Sequence, residues 1–215
     1  YAPLERLREV YEEALSHPLV AGIVIGTRPD CVDGDKLDYL ASLARDHVVV
    51  IEYGIESVYD RTLQRINRGH SFEDAVRAVE MTTARGLTQG AHFIFGLPGE
   101  TVGDMLAYAP IINKMSLHSV KFHQLQIVRG TAMEREFASH PSDFVTFSLD
   151  EYLDFIADLL ERLRPDLYIE RFAGEVPPRF VNSTPWGLLR NTELIRLLEQ
   201  RLESRDTWQG RLYGQ

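Results

Sequence analysis

The sequence predicts an α/β protein: a partial (β/α) barrel of the TIM type with about four parallel strands, followed by a mostly helical extension. Three observations carry that reading. Four short runs of β-branched, aromatic and small residues recur roughly 30–40 residues apart, the length of one strand–helix–strand unit. Helical spacing fills the gaps between them. Past Gly130 this alternation gives way to long amphipathic stretches.

Taken in order, Leu4, Leu7, Tyr11 and Leu15 repeat at helical spacing before the first strand run, Val20-Ala-Gly-Ile-Val-Ile-Gly26. Leu37, Leu40 and Leu43 form a second helix, and Val48-Val-Val-Ile-Glu-Tyr-Gly54 a second strand. Ser71-Phe-Glu-Asp74 and Thr101-Val-Gly-Asp104 each place a hydroxyl three residues before a carboxylate, which marks a helix start. The third and fourth strands are Gln89–Gly96 and Ser119–Val128. All four read as strands buried on both faces. Ser148-Leu-Asp-Glu151 is a full capping box, and the helix it opens runs to about Arg164 with Leu153, Ile156, Leu160 and Leu163 on one side. Leu167-Tyr-Ile-Glu170 is a candidate further strand, Gly174–Pro178 a turn, and Asn191–Arg205 a last helix. Residues 1–130 therefore read as a half-barrel and 131–215 as an extension packed on it.

Composition narrows the function classes. Over 215 residues, 44% hydrophobic and 26% charged side chains suffice for a core and exclude a disordered chain. Apolar runs such as Val48–Ile51 are far too short to span a bilayer. The net charge of −9 shows none of the basic excess that dominates nucleic-acid binding. A single cysteine, Cys31, excludes an internal disulfide framework, and with no charged-then-apolar leader the expected setting is the reducing cytoplasm. The chain begins at Tyr1, which suggests a piece of a longer protein.

In β/α barrels the working residues stand at the carboxyl ends of the strands. The first such end is Gly26-Thr27-Arg28-Pro29-Asp30; Arg28 could reach a carboxylate or phosphate, or simply pair with Asp30 or Asp33. The second is Glu52-Tyr-Gly54-Ile-Glu56-Ser57. Period two points Glu52, Gly54 and Glu56 to one side, and two carboxylates facing a lumen need a ligand, a cation or a basic partner, with Arg28 or Arg68 the candidate bridges. The third is His92-Phe-Ile-Phe-Gly96-Leu-Pro-Gly99-Glu-Thr101, whose turn leads into a helix N-terminus able to hold an anion. The fourth strand carries Lys121 and His123, and His123 reads as a hydrogen-bonded core histidine rather than a catalyst. No Cys/His/carboxylate cluster has metal-ligand spacing.

In register, Gly26-Thr-Arg-Pro-Asp-Cys31, Glu52-Tyr-Gly-Ile-Glu-Ser57, Arg65-Ile-Asn-Arg-Gly-His70 and Gly96-Leu-Pro-Gly-Glu-Thr101 resemble the later part of a radical S-adenosylmethionine (SAM) enzyme. The nearest likeness is to bacterial radical SAM proteins of the YhcC type, labelled Fe–S oxidoreductases. A broader one reaches the Elongator-like and coproporphyrinogen-dehydrogenase-like groups. It covers residues 1–172, and is less sharp beyond Gly174.

The resemblance implies a partial barrel that binds a [4Fe–4S] cluster and SAM, the cluster donating an electron that releases a 5′-deoxyadenosyl radical to act on an unknown substrate. It assigns Glu56 to the SAM ribose or amino-acid part, Arg68 to the SAM carboxylate, and His92 to the ribose. It sets Thr27 and Arg28 beside the methionyl portion and Val128 or its neighbours along the adenine. For the whole enzyme it implies a reductant such as flavodoxin or ferredoxin.

The departure from the family is the missing CxxxCxxC loop, which holds the cluster and which Cys31 alone cannot replace. The expectation is a fragment lacking two βα units at its amino end, inactive alone and binding SAM weakly if at all. The first strand should then have an open edge, covered by the N-terminal helix or by a second copy in a homodimer. An alternative reading is a stand-alone half-barrel that holds a nucleotide or a partner protein. A tRNA-modifying role is disfavoured by the acidic balance. Trp186 and Arg179 are guesses for substrate contact.

Overall fold

The computed structural model describes the chain except residues 1, 175, 182–185, 187, 188 and 215, and the side chain of residue 178. Five strands form one sheet in sequential order, each parallel to the next: β1 (Gly22–Thr27), β2 (Val48–Glu56), β3 (Thr88–Phe95), β4 (Ser119–Gln124) and β5 (Tyr168–Arg171). The helices are α1 (Leu4–Leu15), α2 (Gly34–Leu43), α3 (Asp60–Arg65), α4 (Phe72–Thr83), α5 (Val102–Leu106), α6 (Tyr108–Ile112), α7 (Ala132–Ser139), α8 (Leu149–Arg162) and α9 (Asn191–Ser204). This is the partial α/β barrel that the sequence predicts, with five strands rather than four. The fifth comes from the Leu167–Glu170 run, so the sheet continues past residue 130 into the C-terminal part.

Local chemistry starts the helices where expected. Ser71 and Asp74, Thr101 and Asp104, and Ser148 and Glu151 form reciprocal capping boxes at the starts of α4, α5 and α8. Each satisfies backbone N–H groups that the first turn leaves unpaired. The core lies between the convex face of the sheet and the helices. There Phe95 meets Phe122 at 5.1 Å and Phe155 of α8 edge-on at 4.8 Å between ring centroids. Helix α8 buries Tyr152, Phe155, Ala157 and Leu159 beyond the expected stripe, because α5, α6 and α9 all pack on it and Phe155 reaches Phe95 of β3.

Two expectations for the strands need correction. Strand β1 is not buried on both faces: Val24 is 63% exposed, and among the described residues no strand pairs with β1 on the side away from β2. Helix α1 packs over Ile25 and Ile51, on the convex face, where Leu7 and Tyr11 line a cavity of about 170 Å³ with Cys31 and Lys36. Strand β4 ends at Gln124, not Val128. Its last pairing is Gln124 with Phe95, after which β3 turns away at Gly96 and the backbone has no ladder to join. Val128 instead makes an isolated antiparallel bridge with Val181.

Candidate functional site on the concave face

The register of the five strands brings one row of polar side chains to the concave face. Glu52 pairs across to Gly90 and Gly54 to His92, while His92 pairs with Lys121 and Ile94 with His123. Alternation along each strand then sets Glu52, Gly54, His92, Lys121 and His123 on the same side. Glu52 is only 8% exposed. It accepts from Lys121 Nζ and lies 3.0 Å from His92 Nε2, and Lys121 also reaches Glu170 on β5 at 3.3 Å. Burial pushes the Glu52 carboxyl up, and the hydrogen bonds from Lys121 and His92 outweigh that, leaving it below its ordinary value. The partner of Glu52 is therefore neither Arg28 nor Arg68, as the spacing suggested, but a lysine two strands away.

Glu56 takes the role expected of it locally, with Arg68 as its partner at 3.0 Å. Between Gly54 and Glu56 the pairing with β3 slips, and Glu56 sits at φ +72°, a conformation in which a non-glycine residue stores strain. The slip keeps its carboxylate over Gly54. A Cβ on Gly54 would lie 2.4 Å from Arg68 Nη2 and 2.7 Å from Glu56 Oε1, so the absence of a side chain there makes the seat for both. Arg68 Nη2 also donates to the Gly54 carbonyl at 2.8 Å, while Arg68 Nε is buried with no hydrogen-bond partner. Desolvation raises the Glu56 pKa, and the Arg68 charge opposes it only in part. Behind this seat, Ser57 donates to Glu100 at 2.6 Å and the Tyr108 hydroxyl to the other Glu100 oxygen at 2.7 Å. The Gly-Leu-Pro-Gly-Glu turn is thereby tied to the end of β2.

The remaining predicted residues fall in different places. Arg28 makes a fork to Asp30, at 2.8 and 2.5 Å, and reaches the Gly69 carbonyl at 3.4 Å, so it stands on the Arg68 loop with its charge compensated. Thr27 pairs with Tyr53 and lines the cavity under α1, on the convex side of the sheet. The structure does not bring it to Glu56, Arg68 and His92. Val128 lies in the loop after β4, where its carbonyl accepts from Thr131 at 2.6 Å. The anion site expected at the helix after Thr101 is not available. That helix has five residues, and its cap is filled by Thr101 and Asp104.

His123 departs from the hydrogen-bonded core histidine expected. Its ring makes no hydrogen bond among the described residues and lies 5.6 Å from that of His92. Burial, then the charges of His92, Arg171 and Lys121, depress its pKa to about 4, so it stands neutral at pH 7. Lys121 and His123, which the sequence sets together on the fourth strand, share a face by period two on Ser119–Gln124, whereas nothing in the Leu167–Glu170 run marks Glu170 or Arg171 for the site. Trp186 is an anchor: its ring lies 4.6 Å from that of Tyr152 and its indole N–H donates to the Phe147 carbonyl. Arg179 stacks over Phe180.

Sequence comparison decides the family. The radical SAM superfamily matches residues 1–109, and the Radical SAM C-terminal domain matches residues 117–204. The chain belongs to the radical SAM superfamily. It is 33% identical to the uncharacterized protein MJ0486 of Methanocaldococcus jannaschii over 98% of its own length, and 29% identical to protein YhcC of Escherichia coli over 92%. It spans 65% and 63% of the lengths of those two relatives. Among solved structures, the archaeal Elp3 of Methanocaldococcus infernus superposes on 88% of this chain and 43% of its own with a TM-score of 0.74, at 20% identity, a likeness of fold.

Within this radical SAM chain the two cofactors of the family fit differently. The Glu56–Arg68 seat suits a ligand with both a carboxylate and hydrogen-bonding hydroxyls or amines. It has a guanidinium with a spare buried N–H, a carboxylate, and a glycine that leaves room above them. A [4Fe–4S] cluster needs several cysteine thiolates, and the chain has one. Among the described residues no group of three or more His, Cys, Asp or Glu could hold a metal ion. No helix among them is long and apolar enough to cross a membrane.

Proposed function

We propose that this chain forms the SAM-gripping part of a radical SAM enzyme whose cluster is held by residues outside these 215. The Glu56–Arg68 pair, seated over Gly54 at the carboxyl end of β2, is the observation that carries the reading. Arg68 would hold the SAM carboxylate, Glu56 the ribose hydroxyls or the ammonium group, and His92 the ribose edge, with Arg28 fixing the loop that carries Arg68. SAM supplies the radical chemistry; the chain's own residues grip, orient and exclude water. On binding, the SAM carboxylate would replace Glu56 as the partner of Arg68, leaving Glu56 to face the ribose hydroxyls or the ammonium group.

For the whole protein the reading includes a low-potential reductant such as flavodoxin or ferredoxin, and a substrate on the concave face. The cysteine count and the sheet's open side support a chain inactive by itself. Arg68→Gln is expected to weaken binding of S-adenosylhomocysteine to the cluster-loaded protein of native length by tenfold or more, about 1.4 kcal/mol. Calorimetric titration of the variant at unchanged affinity would remove Arg68, and the seat with it, from the site.

A further inference from the structure

We infer that the carboxyl end of β5 carries a second, separate anion-binding subsite, built on Arg171 and His123, that takes a carboxylate or phosphate group of the substrate. This rests on the reading above in calling the ligand a substrate; the oxyanion chemistry is independent of it. Along the concave row each other charged side chain has an opposite partner: Glu52 and Glu170 have Lys121, and Glu56 has Arg68. The Arg171 side chain makes no ion pair or hydrogen bond among the described residues, and the residue is exposed. An exposed arginine on a surface helix would need no explanation. This one ends a barrel strand, at the position where β/α barrels place their working groups.

Three further observations fix the subsite. The slip between β4 and β5 sets Arg171 opposite Lys121, two residues before His123 on β4. The following backbone is held rigidly, because Phe172 N–H donates to Asn191 Oδ1 at 3.2 Å and its carbonyl accepts from Tyr152. The chain then passes so close to His123 that a Cβ on Gly174 would lie 2.9 Å from Nδ1. Gln124 and Gln126 bind the Gly174 backbone, at 3.0 Å through Gln124 Oε1 and 2.7 Å through Gln126 Nε2. His123 thus offers an unbonded imidazole on a fixed wall, and Arg171 offers the uncompensated charge. The charge of Arg171 already reaches His123, where it opposes protonation. An oxyanion bound between them would accept from the guanidinium fork and from one imidazole N–H.

The test is a titration of the cluster-loaded protein of native length, labelled with ¹⁵N-histidine, with acetate, inorganic phosphate and ethylammonium at constant ionic strength. His123→Gln assigns the resonances. Acetate or phosphate is expected to shift the His123 signals saturably, the tighter of the two naming the substrate group. Arg171→Gln should weaken that binding tenfold or more, and excess S-adenosylhomocysteine should leave it in place. No saturable shift, an equal shift from ethylammonium, or an unchanged affinity in Arg171→Gln would overturn the subsite. Displacement by S-adenosylhomocysteine would also overturn it, since the anion would then be sitting in the cofactor's place. Failure of S-adenosylhomocysteine to bind the cluster-loaded protein, with the oxyanion still bound, would instead overturn the cofactor reading and leave this subsite standing.

Discussion

Lys121→Met is expected to cost about 3 kcal/mol of folding stability at pH 7, the scale on which removing one partner of a buried ion pair is paid. Met keeps the length and the apolar stem, so the loss falls on charge. Lys121 serves Glu52 and Glu170 together, and Glu52 is the most enclosed acid of the row. Its neighbour His92 would be left as its one partner there. The sign follows from linkage. The Glu52 pKa is held below its ordinary value, so its contribution is fully present above the unfolded-state pKa of about 4.3 and is lost as the pH falls through the lower folded value. Denaturant titrations should therefore show the gap between wild type and variant closing below about pH 4. Combined with Glu52→Gln, the loss should be smaller than the two single losses added, because the buried carboxylate that made it costly is gone. A cost under about 1 kcal/mol at pH 7 would class the pair with surface ion pairs and contradict the buried row.

Gly54→Ala should separate stability from binding more cleanly than any other change in the site. The added methyl meets the far ends of Arg68 and Glu56, not backbone, so the fold can accommodate it by moving two flexible side chains. Gly54 has no positive φ, and a Gly→Ala exchange at a compatible backbone stiffens the unfolded chain by about 0.4–1 kcal/mol in favour of folding. Unfolding free energy is thus expected to change by less than about 1 kcal/mol. Binding of S-adenosylhomocysteine to the cluster-loaded protein should nonetheless fall by at least tenfold, since the seat for both charged groups is filled. Gly22→Ala is the contrast: its Cβ would lie 2.0 Å from the Val48 carbonyl oxygen, and only a shift of β1 against β2 relieves that. Unchanged affinity in Gly54→Ala would show that the cofactor does not use the space above β2.

What could be read from the sequence was local. The capping boxes at Ser71, Thr101 and Ser148 need only residues three apart, and all three stand as read. The fork from Arg28 to Asp30, two residues on, was one of the two readings open for that turn. Strand cores were legible from composition, but their ends depend on neighbours. Beta4 stops where β3 turns away, which no pattern in Ser119–Val128 signals. The slip at Gly54–Glu56 was hidden for the same reason, because register is a property of two strands. Hidden too was the partner of Glu52. Period two supplied the face, yet the choice among Arg28, Arg68 and Lys121 depends on which strands lie side by side. Beta5 was faint because a four-residue run of mixed character earns its place in the sheet only through β4.

The measurement that bears most directly on the proposal that the cluster is held outside these 215 residues is anaerobic iron–sulfur reconstitution of the 215-residue chain, followed by incubation with SAM and dithionite. With one cysteine available, the expected result is no stoichiometric cluster and no 5′-deoxyadenosine, while the protein of native length yields both. A chain that assembled one [4Fe–4S] cluster per molecule and cleaved SAM by itself would contradict the account.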